Sequence, residues 1–114
     1  MNSPSQAHVE IEKLEEEFDV ETAKELAAAF LEDTNDIVAK IENALAQGDL
    51  EACRKHAHML KGCCRVIMAN KCEKIASELE ALVSNGKVDD AKNRLAELSQ
   101  AFTETEEFLG HYLE

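Results

Sequence analysis

From Val88 to Tyr112 the chain repeats one pattern: Val88, Ala91, Leu95, Leu98, Phe102, Thr105, Leu109 and Tyr112 are separated by alternating steps of three and four residues. This alternation gathers the side chains into one stripe along a helix and is incompatible with a strand, whose side-chain period is two. A stripe so long must be covered. Four earlier segments carry stripes of their own at helical spacing: Val20 to Leu31, Ile37 to Leu45, Leu50 to Ile67 and Cys72 to Val83. The third contains Leu50, Cys53, Ala57, Leu60, Cys64 and Ile67, all on one side at about 100° per residue.

Short polar breaks separate these segments. In Gln47-Gly48-Asp49 the glycine ends one helix and Asp49 caps the next. Asn85-Gly86 closes another. The run Glu32-Asp33-Thr34-Asn35-Asp36 interrupts the stripe, with Thr34 as candidate N-cap, and Asn70 with Glu73 has the form of a capping box. Asp19 can cap the helix that follows it, and Val9, Ile11, Leu14 and Phe18 predict a short helix before it. Residues 1–7 (MNSPSQA) hold the only proline and read as a loose tail. Sequential helices on short links pack as antiparallel neighbours. The expected fold is therefore all-α: a single domain over residues 8–114, an antiparallel up-down four-helix bundle from about Thr34, with one or two short N-terminal helices. The glycine-marked breaks disfavour one long coiled coil.

The formal net charge of −12 makes nucleic acid and anionic lipid poor partners. No signal peptide opens the chain and no apolar run approaches a membrane span, so a cytoplasmic protein with reduced thiols is expected. The acidity is not uniform. Six of the twelve Lys and Arg residues fall between Arg54 and Lys74, with Glu73 the sole acid in that window.

His58 lies inside this cationic window, about 130° from the middle of its helix's apolar stripe, and is expected to face solvent. Its helical neighbours are Arg54, Lys55, Lys61 and Gly62, with Arg65 one turn further on. A neutral imidazole is a nucleophile near pH 7. If it took a phosphoryl group, Lys61 could supply a cation to the phosphoryl oxygens, with Arg54, Lys55 and Arg65 adding a positive field. Gly62 costs about 1 kcal/mol against Ala inside a helix, which is tolerated where a partner approaches the backbone closely. Helix packing through the glycine is the plainer explanation. No Gly-rich loop or Walker pattern is present, so the group would come from another protein and go to another.

Ala57-His58-Met59-Leu60-Lys61-Gly62 resembles the histidine-containing phosphotransfer (HPt) domain, whose signature is a His, a Lys three residues later and a Gly after that. A Gly-Asp-Leu helix start before it and an Asn-Gly turn after the next helix fit the same family, and the resemblance runs from about Val9 to Leu113. It implies a four-helix bundle that relays phosphoryl groups between receiver-domain aspartates in two-component signalling. His58 would be the phosphoacceptor, Lys61 would steady the group and Gly62 would give clearance. Response-regulator receiver domains, and a hybrid sensor histidine kinase, are the implied partners. Mg²⁺ and the acceptor aspartate would belong to the receiver, so the chain needs no cofactor or metal of its own and serves as a carrier without an independent catalytic site, acting as a monomer. Docking would use Met59 and Val66, with residues of the N-terminal helices, inside a rim of Arg54, Lys55 and Arg65. Cys63 and Cys64 stand where the family usually has Ser or Ala, and Met68 where it often has Gly.

Two rivals remain at this level. A helical adaptor could bind a signalling protein through the same face without phosphorylation. Cys53, His56, Cys63 and Cys72 could hold a metal, although they lack the Cys-x-x-Cys knuckles of structural zinc sites; as core residues, the cysteines pack and His56 is hydrogen-bonded on the flank.

Overall fold

Links of a few residues leave each helix little choice but to lie beside the one before it. The computed structural model describes residues 9–114, and the expected tail at residues 1–7 lies outside them, as does His8. Six helices form among the described residues: α1 (Ile11–Glu17), α2 (Val20–Thr34), α3 (Ile37–Ala46), α4 (Leu50–Val66), α5 (Asn70–Ser84) and α6 (Val88–Leu113). The 26 residues of α6, at about 1.5 Å each, span roughly 39 Å, close to the 41 Å length of the molecule.

The helix bearing His58 is central. α4 packs on α3 and, most extensively, on α5; α5 packs on α6; α2 and α3 both meet α6, and α2 also touches α4. The stripes read from spacing are the surfaces used. Cys53, Ala57, Leu60 and Cys64 of α4 are fully buried against Leu79 of α5 and Ala91, Leu98 and Leu109 of α6 in one core. The far end of α6 is tied down by Tyr112, whose hydroxyl donates to Glu15 at 2.7 Å and whose ring lies under the Lys24 ammonium.

Several boundaries follow the expected chemistry. Asp19 accepts from the Thr22 amide at 2.7 Å and Asp49 from the Ala52 amide at 3.1 Å. Gly48 and Gly86 adopt φ of +76° and +71°, the left-handed conformation a helix C-terminus asks for. Two caps differ. Thr34 does not start a helix: it is the last residue of α2, buried, and its hydroxyl donates back to the Phe30 carbonyl at 2.5 Å. The N-cap of the next helix falls two residues later, at Asp36. The Asn70–Glu73 capping box does not form either. Ala69 is the N-cap, and the Glu73 carboxylate reaches across to Arg65 at 3.0 Å.

The turn after α4 has its own geometry. Met68 holds φ +60°, and the Ala69 amide donates to the Cys64 carbonyl at 2.9 Å. A left-handed residue placed there closes the helix as a glycine would.

Candidate functional site

His58 is carried outward because Ala57 and Leu60, its neighbours on either flank, are drawn fully inward. Its side chain is 63% exposed. On the same face Gly62 is open: a Cβ built there meets nothing within 4 Å. That removes the packing explanation for this glycine, since no helix lies against it. What remains is a helix that spends conformational stability on a bare surface one turn from an exposed imidazole.

The third component comes from α5. Glu80 Oε2 lies 3.0 Å from His58 Nδ1, and its Oε1 lies 2.9 Å from Lys61 Nζ. Burial works against ionisation of Glu80, but the hydrogen bonds from Lys61 and His58 outweigh it and hold the carboxyl below the ordinary glutamate value. An ionised carboxylate only accepts, so Nδ1 must donate. In a neutral ring that leaves Nε2 as the nitrogen with the free lone pair. Glu80 was not legible from helix spacing around His58. The signal lay in the hairpin: Ala69 is the midpoint of both His58–Glu80 and Arg65–Glu73, so folding α5 antiparallel onto α4 pairs them in register.

Three of the four cations around His58 are paired with carboxylates. Arg54 is held by Glu51 at 2.5 Å, Lys61 by Glu80 at 2.9 Å and Arg65 by Glu73 at 3.0 Å. Lys55 is exposed and has no ion-pair partner among the described residues. The window is cationic along the sequence, whereas on the folded surface each of the other three cations meets a carboxylate.

An outward His, a Lys three residues on and a bare Gly next to it, on one helix of an all-helical chain, can be set beside known proteins. The sequence model of the Hpt domain matches residues 25–108, more than half of the chain. The chain belongs to the Hpt domain family. Comparisons with curated proteins and with solved structures returned no match. Membership places this Hpt domain in histidine phosphotransfer relays, which work with response-regulator receivers.

Along α4 this Hpt domain exposes apolar side chains. Met59 is 46% and Val66 54% exposed. Val66 also lines a groove of about 160 Å³ between α2 and α4, with Leu26, Ala29, Phe30 and Cys63. Phe18 and Val20, at the junction of α1 and α2, are exposed too.

The cysteines of the Hpt domain are all free thiols. Burial pushes the Cys53 and Cys63 thiols up; a hydrogen bond to Cys72 and burial do the same for Cys64. These shifts disfavour reactive thiolates at Cys53, Cys63 and Cys64, whereas hydrogen bonds with Cys64 and Thr105 bring the Cys72 thiol down. Cys72 contacts the Thr105 hydroxyl at 3.4 Å. No group of three or more His, Cys, Asp or Glu among the described residues is placed to hold a metal ion. His56 is half-buried, but its Nδ1 has no hydrogen-bond partner among the described residues, which corrects the expectation of a satisfied histidine. No helix of the described residues is long and apolar enough to cross a membrane.

Proposed function

We propose that this Hpt domain is a phosphorelay intermediate in which His58 Nε2 accepts a phosphoryl group from a receiver aspartate and passes it to the aspartate of another receiver. The observation that carries the reading is the Nδ1–Glu80 hydrogen bond at 3.0 Å, which leaves Nε2 as the nucleophile of an exposed ring. Lys61 is within reach of a group on that ring, one helical turn away. Gly62 gives a receiver's active site room to approach.

The receiver supplies Mg²⁺ and the aspartate; the Hpt domain supplies the nucleophile and a docking face. That face comprises Met59 and Val66, the groove between α2 and α4, and a rim of Arg54, Lys55 and Arg65. A hybrid sensor histidine kinase is a fitting source of phosphoryl groups upstream. The relay acts in the cytoplasm, through a monomer. In this reading residues 8–114 are one domain, with α3 to α6 as an antiparallel up-down bundle and α1 and α2 on its flank.

The test is incubation with a ³²P-labelled receiver. Acid-labile, base-stable label is expected on the wild-type chain and none on His58→Gln. Label that persists in His58→Gln refutes the assignment. Receiver binding indifferent to His58→Ala, with no label transfer, would instead mark a helical adaptor.

A further inference from the structure

Glu80 stands where a phosphorylated His58 would be better served by positive charge. Its oxygens are divided between the imidazole, 3.0 Å away, and the Lys61 ammonium, 2.9 Å away. No other acid touches His58 among the described residues. We propose that Glu80 is a positioning residue that sets the phosphoryl-transfer potential of His58: its charge raises the free energy of the phosphorylated state and so favours passage of the group to an acceptor. This rests on His58 being the phosphoacceptor.

The argument follows the charge. An aspartyl phosphate carries two negative charges. The Nε2 lone pair forms the N–P bond, and the P–O bond to the aspartate breaks, its electron pair staying with the carboxylate. The products are a carboxylate and a phosphorylated imidazolium whose dianionic phosphoryl group and ring cation sum to minus one. No proton has to arrive, because Nδ1 already carries one. The site thus gains one net negative charge beside a carboxylate.

Lys61 makes the effect larger. As its ammonium is drawn toward the phosphoryl oxygens it shares its charge with them, which weakens its charge-assisted hydrogen bond to Glu80 at a site where both side chains are largely shielded, 21% and 18% exposed. The attraction between Glu80 and the ring cation opposes both effects. It acts at 3.0 Å, whereas the two phosphoryl charges sit on the far nitrogen, so the two direct terms roughly offset each other and the weakened bond to Lys61 decides the sign. Glu80 therefore does two separable things. As an acceptor it orients the ring and fixes its proton; as a charge it keeps the product from being held too well.

Potassium phosphoramidate separates the two without a receiver. Its phosphorus passes to Nε2, its P–N bond breaks and ammonia leaves, with total charge conserved. At fixed phosphoramidate and ammonium concentrations, the ratio of phosphorylated to free His58, read by ³¹P NMR, reports the transfer potential. Glu80→Gln keeps an oxygen that can accept from Nδ1–H and drops the charge; it is expected to raise the ratio by roughly fivefold. Glu51→Gln removes an acid that pairs with Arg54 and does not touch His58; it is expected to change the ratio by less than about twofold. An unchanged or lower ratio in Glu80→Gln overturns the proposal, as does an equal rise in Glu51→Gln. Failure of His58 to load in the wild-type chain, with the ³¹P signal unchanged in His58→Gln, refutes the phosphoacceptor reading and this proposal with it. Loading on His58 that is indifferent to Glu80 refutes this proposal alone.

Discussion

His58 Nδ1 and Glu80 Oε2 are 3.0 Å apart, joining residues from two helices that meet only because the chain doubles back at Ala69. An ionised carboxylate cannot donate, so the bond fixes the ring proton on Nδ1. In ¹⁵N NMR the neutral ring should be predominantly the Nδ1–H tautomer. Glu80→Ala should shift it toward Nε2–H and slow phosphoryl uptake by about threefold to tenfold. A wild-type ring protonated mainly on Nε2 would contradict the geometry.

Gly62 offers a stability measurement and a kinetic one that should move in opposite directions. Gly62→Ala adds a methyl group that meets nothing within 4 Å and should raise stability to urea by about 0.5–1 kcal/mol. Gly62→Gln should slow transfer from a receiver by about tenfold, and by more than it slows loading from phosphoramidate. Equal slowing by both donors would mean that clearance for a protein partner is not what the glycine provides.

Met59 and Val66 are exposed apolar side chains on the helix that carries His58. Met59→Glu and Val66→Glu should each change stability by less than about 0.5 kcal/mol, while slowing receiver transfer through loss of docking. Stopped-flow transfer kinetics beside urea unfolding would check both halves.

Leu60 is fully buried between His58 and Lys61 in sequence. Leu60→Ala should cost about 2–5 kcal/mol, from lost burial and the cavity left behind. Urea denaturation measures it directly; a loss below about 1 kcal/mol would mean that α4 is not anchored through this residue.

The lowered Glu80 carboxyl has a definite sign in pH dependence. Its ordinary value is 4.5 and the folded value lies below it. The stabilisation is therefore fully present above 4.5 and is lost as pH falls through the folded value. The stability gap between wild type and Glu80→Gln should be open at pH 7 and closed once the carboxyl is protonated. A gap of the same size in strong acid would point to packing instead of charge.

The helices, their inward stripes and the outward placement of His58 were legible in the sequence alone, because a period of 3.6 residues is a local property that spacing records directly. So were the turns at Gly48 and Gly86, where a left-handed backbone favours glycine. Capping was read less well. A threonine hydroxyl can bond forward to an amide or back to a carbonyl, and at Thr34 burial against the core decided for Phe30. Met68 was not read as the left-handed end of α4: a methionine gives no such signal, and only the glycine that the family often has at that position pointed to it.

Apart from the local Glu51–Arg54 pair, the electrostatics of the site belong to the tertiary structure. Along the chain, Arg54, Lys61 and Arg65 read as cations around a histidine; in the fold, Glu51 takes the first from within α4, while Glu80 and Glu73 take the others from α5. Periodicity states which side of a helix a residue occupies. Which charge faces it depends on the register between two helices, and that register is set only when their apolar stripes pack together.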